Sequence, residues 1–158
     1  MDSIRDCEDL EHGARALERA EWQAARTAFE SALQAGESAE ALDGLGLALW
    51  VLGHIQEGIA LRERALDAYV RARQCDEAAR IAVWVSHQYL AAGRVSAARG
   101  WLERGERALE GLDGCAGRGW VAVERARHAD SIDARIGHPR DAMQIAREFG
   151  PTTSRSSR

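Results

Sequence analysis

Histidine is the first residue type in this 158-residue sequence that could carry out chemistry. Five histidines occur, at His12, His54, His87, His128 and His138. None forms the H-x-x-x-H or H-E-x-x-H spacing that places two metal ligands on one face of a helix. We therefore expect no metal site and no cofactor site built on histidine.

Cysteine is the second candidate for chemistry. The sequence contains three, Cys7, Cys75 and Cys115, which are widely spaced and form no C-x-x-C pair. An odd number at these spacings argues against a disulfide framework and against a cysteine-based zinc site. We interpret them as small buried hydrophobic residues or incidental thiols.

The motifs of nucleophilic and phosphate-binding sites are absent from the sequence. There is no G-x-S-x-G elbow, and the adjacent Ser86 and His87 would point in different directions on a helix. Gly44-Leu45-Gly46 does not extend to a G-x-G-x-x-G loop. All 21 basic residues are Arg, which excludes Schiff-base lysine chemistry. We predict that the chain is not an enzyme and binds no cofactor. The joint absence of Lys and Asn is typical of a GC-rich bacterial genome.

Composition limits the classes of partner. Hydrophobic residues make up 46% and charged residues 29%, as in one globular domain. A net charge of −4 gives no basic surface for nucleic acid. The longest apolar stretch, 45–52, is too short to span a membrane, and the acidic N-terminus has no apolar core of a signal peptide. We expect a soluble cytoplasmic chain with no membrane or direct nucleic-acid partner.

Four similar turns divide the sequence into helix pairs. They lie at 20–25, 53–58, 93–98 and 137–142, and each begins with a small residue, usually Gly. A leading Gly suits the left-handed backbone that follows a helix C-terminus. The small residues five positions later should lie buried where paired helices cross, at Ala25, Gly58, Ala98 and Ala142.

Apolar residues recur at three- and four-residue steps through most of the chain, as on one face of a helix. Leu42, Leu45, Leu49 and Leu52 are one example. The pattern predicts an all-α fold of eight helices at 4–19, 22–35, 38–52, 55–73, 76–92, 95–111, 117–136 and 139–148.

The pattern resembles the tetratricopeptide repeat (TPR), a stacking pair of helices. Residues of the repeat consensus recur in three pairs, at Gly13, Ala25, Phe29 and Ala32, at Leu45, Gly46, Leu49 and Ala65, and at Tyr89, Ala98 and Leu102. Arg62 stands where the consensus has an aromatic residue. The resemblance implies a right-handed superhelical stack of about four antiparallel hairpins over 1–149, acting as a non-catalytic protein-protein interaction module.

Three runs, at 41–53, 62–69 and 98–104, are similar to the TPR-like region of large LuxR-type transcriptional regulators. The resemblance implies that this chain is the helical-repeat portion of such a regulator, without its helix-turn-helix DNA-binding domain. Two alternatives stay open, a free-standing TPR scaffold or adaptor and a small helical enzyme or ligand-binding protein.

The TPR alignment places one set of side chains on the concave face, where a protein or peptide partner would bind, namely Asp43, Leu47, Trp50, Arg80, His87 and Arg127. Trp50 and His87 would flank one pocket, with Arg80 nearby for an acidic partner. The alternative is that Trp50 packs in the core and His87 faces water. Carboxylate-clamp TPR proteins use Lys and Asn, and this chain contains neither.

The C-terminal segment 150–158 breaks from the helical pattern and is interpreted as a disordered tail or as the product of a frameshift. Residues 139–149 carry apolar side chains with no following helix to cover them. If the chain is truncated, we expect this C-terminal repeat to fray or to self-associate.

Overall fold

A computed structural model describes residues 2–111 and 114–129, and it gives side chains from residue 7 onward. The described residues contain seven helices and no strand. They are α1 (Asp2–Glu18), α2 (Trp22–Ala35), α3 (Ala39–Val51), α4 (Ile55–Arg71), α5 (Cys75–Ala91), α6 (Val95–Leu109) and α7 (117–129). The all-α prediction is confirmed. The predicted eighth helix, Ala142 and the segments 139–149 and 150–158 lie outside the described residues.

Each helix packs against the next one along the chain. The closest partners are α1 with α2, α3 with α4, and α5 with α6, while α2 contacts α3 and α4 contacts α5. Helix α1 also contacts α3, so first helices of successive hairpins meet. The predicted bounds of the first six helices agree with the observed ones to within two residues at each end.

Left-handed residues form the tight turns between helices. Gly53 has φ +94° and Gly93 has φ +75°, while Ala20 adopts φ +57° at the equivalent turn. After each one the chain donates a backbone hydrogen bond back into the preceding helix, such as His54 N–H to the Leu49 carbonyl at 2.9 Å. These bonds satisfy carbonyls that a helix end leaves without partners. The predicted turns at 20, 53 and 93 are thereby confirmed.

A fourth turn of the same kind joins α4 to α5 and had no signal in the sequence. Arg73 holds φ +57° there, and Gln74 N–H bonds to the Tyr69 carbonyl at 2.9 Å. The missing signal is the glycine, because this turn adopts the left-handed backbone with a residue for which it is strained.

Small residues allow the paired helices to approach closely. Ala25 and Ala98 are fully buried, as predicted. At Gly58 an added Cβ would lie 2.6 Å from the Gly46 carbonyl oxygen and 2.8 Å from the Trp50 nitrogen, so α3 and α4 meet backbone to backbone. The prediction of buried small residues at the hairpin crossings is confirmed at these three positions.

The core runs through the described helices as three neighbouring clusters. The first joins α1, α2 and α3, and in it the Phe29 ring fills the space that a side chain at Gly13 or Gly44 would need. The second centres on α4 and α5, with Leu42, Leu66 and Ile81 among its fully buried members. The third joins α5, α6 and α7 around Leu102, Leu109 and Val121. Helix α3 is buried along most of its length, so any charged residue on it must find a partner.

Candidate functional site

The carboxylate of Asp43 is the centre of a charged cluster where α3, α4 and α5 meet. Arg62 from α4 directs Nε and Nη2 at Asp43 Oδ1, each at 2.7 Å. Arg80 from α5 donates through Nη2 to Asp43 Oδ2. We refer to Asp43, Arg62 and Arg80 as the Asp43 cluster. It links three helices through one buried carboxylate.

Helical periodicity carries Arg62 into the interior. It lies between Ile59 and Leu66 on the buried face of α4, and its side chain is only 4% exposed. A guanidinium removed from water to this extent requires a charged partner, and Asp43 supplies it. The TPR resemblance places an aromatic residue here, so Arg62 occupies a core position with a charged group.

The electrostatics of the two arginines differ. Burial lowers the pKa of Arg62, against the opposing effect of Asp43. Arg80 is also desolvated, yet its attraction to Asp43 dominates and raises the pKa of Arg80. Both guanidinium groups remain charged at neutral pH, so the Asp43 cluster carries one net positive charge. Because the Arg80 side chain is 45% exposed, it presents that charge at the surface.

Two tryptophans pack beside the Asp43 cluster. The Arg62 guanidinium carbon lies 4.1 Å from the centroid of the Trp84 ring. Trp50 meets Trp84 edge to face, with centroids 5.6 Å apart and planes inclined by 75°. Both rings are half-buried and pack against the central core cluster. Trp50 therefore combines core packing with an exposed edge.

An apolar groove of about 390 Å³ adjoins the Asp43 cluster between α1 and α3. Its walls include Leu10, Ala14 and Leu17 of α1 and the ring of Phe29. Asp43 and Tyr69 line its other side. Burial, followed by the nearby Asp43 and Glu40 carboxylates, raises the pKa of Tyr69, so its phenol stays neutral. The groove thus places apolar walls next to a carboxylate that also holds Arg80.

A second polar group surrounds Glu124 of α7. His87 Nδ1 lies 3.6 Å from Glu124 Oε1, and Arg127 Nη1 lies 3.5 Å from Oε2. The Glu124 side chain is 4% exposed, whereas that of His87 is 62% exposed. The buried carboxylate thus meets one imidazole from α5 and one guanidinium from its own helix.

Ser86, His128 and Glu124 lie close together without the geometry of a catalytic triad. Ser86 Oγ donates to the Ala98 carbonyl at 2.7 Å and lies 3.4 Å from His128 Nε2. Glu124 Oε1 faces the same Nε2, at 3.5 Å. In a triad the carboxylate holds the other ring nitrogen. This buried group is accordingly structural, and Ser86 ties α5 to α6.

The predicted site residues fall into two groups. Asp43 and Arg80 are in contact, and Trp50 packs beside them, with Trp84 as its aromatic neighbour. His87 and Arg127 gather around Glu124. Leu47 of α3 is half-buried.

Arg62 and Trp84 are the members of this region that sequence reasoning missed. A signal existed for Arg62, because a charged residue at a periodic apolar position requires a buried partner. Trp84 gave no comparable signal, since the TPR alignment put its neighbour Val83 on the inner face.

No family model, curated protein or solved structure matches this chain. Among the described residues, no helix combines the length and apolar character that crossing a bilayer requires.

Proposed function

We propose that this chain is a TPR-like, non-catalytic module that binds a protein or peptide partner. The binding surface is the apolar groove between α1 and α3 together with the exposed side of Arg80. One observation carries the proposal, namely that the groove and Arg80 share Asp43 as a common boundary. An apolar depression beside a rigidly held cation suits a peptide with an apolar side chain next to an acidic one.

The helix arrangement supports a TPR-like stack. Consecutive hairpins with three-residue turns and contact between the first helices α1 and α3 are features of stacked repeats. In a right-handed superhelix of this kind the first helices line the concave side. Groove residues of α1 and α3 and Arg80 of α5 would then belong to one continuous surface.

Arg80 is well prepared for recognition. Its contact with Asp43 fixes the guanidinium, so less side-chain entropy is lost when a partner binds. The group keeps further N–H donors for an incoming carboxylate. His87, exposed and one turn beyond Trp84 on α5, extends the same face toward α7.

We further propose that the chain is the helical-repeat portion of a LuxR-type transcriptional regulator. This proposal rests on the similarity of the runs 41–53, 62–69 and 98–104 to that region. A repeat module in such a regulator would act on transcription through protein contacts. The net charge of −4 agrees with a role that leaves DNA contact to another domain.

Peptide display tests the proposed surface with ligands that the chain itself selects. A random peptide library is selected on the wild-type chain, and enriched peptides are then measured against variants by fluorescence polarisation. We expect enriched peptides to combine apolar and acidic residues. Ala14→Arg places a long side chain at the exposed rim of the groove, and Arg80→Gln removes the cation. Each should weaken binding about tenfold or more, as loss of an interface anchor does.

Arg107→Ala is the matched control, because Arg107 is exposed on α6 and does not line the groove. It should leave peptide affinity unchanged. If the enriched peptides bind Ala14→Arg and Arg80→Gln as tightly as wild type, the surface is wrong. If selection on the folded chain enriches no peptide family, the peptide-binding function is wrong.

A further inference from the structure

Two of the three thiols meet one carboxylate at the junction of α5 and α7. Asp76 Oδ1 lies 3.8 Å from Cys75 Sγ and 3.4 Å from Cys115 Sγ. All three ligand atoms lie within 4.8 Å of one another. The sequence argues against a cysteine-based metal site because the cysteines form no C-x-x-C pair. Folding brings together two of them that are 40 residues apart.

The backbone holds this group in place. Cys75 is the first residue of α5 and Asp76 the second, while Cys115 precedes α7. Gly117 N–H donates to Asp76 Oδ1 at 2.9 Å, which orients the carboxylate toward both thiols. An added Cβ at Gly117 would collide with Ala79 and lie 3.4 Å from Asp76 Oδ1. Glycine is thus what permits the start of α7 to approach the first turn of α5.

We propose that Cys75, Asp76 and Cys115 bind a thiophilic divalent cation of the Zn²⁺ class. Tetrahedral zinc with bonds of about 2.3 Å to sulfur and about 2.1 Å to oxygen sets S···O separations of about 3.6 Å. The two observed separations, 3.8 and 3.4 Å, bracket that value. Two thiolates select a soft or borderline metal over Mg²⁺ or Ca²⁺. Water occupies the fourth position.

Proton release accompanies metal binding. The hydrogen bond between the two thiols, followed by burial, raises the pKa of Cys75 to about 11, so this thiol is protonated at neutral pH. Hydrogen bonds from Gly117 N–H and the Cys115 thiol lower the pKa of Asp76 and keep it anionic. The cation replaces the thiol protons, which pass to solvent. Apparent affinity should therefore increase with pH.

The cation would act as a clasp between two parts of the chain. Cys75 and Cys115 pack against the cluster of Ala79, Leu102, Leu109 and Val121. A metal bridge across them would fix the start of α7 against α5 and so raise the melting temperature. This site is separate from the groove between α1 and α3, and neither proposal depends on the other.

Co²⁺ titration of the reduced, metal-free chain tests the site. We expect one equivalent to bind, with thiolate-to-cobalt charge transfer in the near ultraviolet and the visible bands of a tetrahedral ion. Zn²⁺ should displace it and raise the melting temperature. Cys75→Ser/Cys115→Ser should abolish the charge-transfer band, and Asp76→Asn should weaken binding about 10–100-fold. Cys7→Ser is the matched control, because Cys7 is exposed on α1 and should be dispensable.

A second measurement uses the wild-type chain and avoids any folding defect of the variants. Alkylation followed by peptide mass analysis should show that Zn²⁺ protects Cys75 and Cys115 but not Cys7. The proposal is overturned if the wild type shows no thiolate band, or if the double variant retains it. It is equally overturned if Zn²⁺ protects none of the thiols, or if the pair reacts only by forming a disulfide on oxidation.

Discussion

The guanidinium of Arg62 lies face-on over the ring of Trp84, with its central carbon 4.1 Å from the ring centroid. The same group is bonded to Asp43, so one buried cation joins α3, α4 and α5. A cation over an aromatic face adds attraction that strengthens when water is excluded. This arrangement lets a charged side chain serve as a core residue, and it positions the neighbouring Arg80 at the surface.

Removing the carboxylate should destabilise the chain strongly. Asp43→Ala leaves Arg62 buried without its partner, and we expect a loss of about 3–5 kcal/mol in the free energy of unfolding. Chemical denaturation followed by circular dichroism measures it. Arg64→Ala is the control, because its ion pair with Glu37 is exposed and should contribute less than about 1 kcal/mol. Equal losses for the two variants would contradict the structural role of the Asp43 cluster.

Enlarging the residues at the hairpin crossings should also destabilise the chain. Ala25 and Ala98 have no exposed surface, so Ala25→Leu or Ala98→Leu must displace the paired helix. We expect each to cost about 1–3 kcal/mol. Thermal and urea unfolding provide the measurement, with Ala14→Leu at an exposed position of α1 as the comparison. A neutral result at both crossings would mean that the hairpins are not packed as described.

Trp50 and His87 should separate stability from binding. Trp50 is half-buried against the core and packs on Trp84, so Trp50→Ala should cost about 2 kcal/mol, roughly half the loss for a fully buried Trp. His87→Ala should change stability by less than about 0.5 kcal/mol, because the side chain is mostly exposed. Unfolding curves of the two single variants are compared. A binding defect in His87→Ala at unchanged stability would place His87 in the interface.

Alkaline pH should destabilise the fold through its two tyrosines. Burial raises the pKa of Tyr69 and of Tyr89 above the ordinary value of 10.0. A group whose pKa is raised by folding stabilises the native state below its unfolded pKa and loses that contribution as pH rises. Stability should thus be insensitive to these phenols below about pH 10 and fall above it. Ultraviolet titration of tyrosinate checks this, with the chain in guanidinium as reference. Native and unfolded titration curves that coincide would refute it.

The chain should show no sequence-specific retention of DNA by itself. Its net charge is −4, and non-specific as well as specific DNA binding depends on basic groups that replace counterions. Electrophoretic mobility shift at physiological salt is the measurement. A retained, sequence-specific complex would contradict the proposal that another domain contacts DNA.

Local physics made the helices of this chain readable from sequence. Apolar residues at three- and four-residue steps predict the helix bounds, since a helix with 3.6 residues per turn can bury only one face. Gly53 and Gly93 predict their turns because glycine adopts the left-handed backbone without strain. Ala25 and Ala98 predict close helix crossings because they are small. Each of these inferences involves residues that are near one another in the chain.

Only the tertiary structure decided which side chains meet. Arg62 reaches Asp43 from 19 residues away, Trp84 lies under the same guanidinium, and Cys115 joins Cys75 and Asp76 across the end of α5. Helical spacing establishes that Arg62 faces inward, but not which group compensates its charge. That partner depends on how neighbouring helices are rotated and offset, and these are set by packing summed over the whole core. The groove, the charged cluster and the thiol pair therefore emerge from contacts between helices, which the repeat pattern alone does not encode.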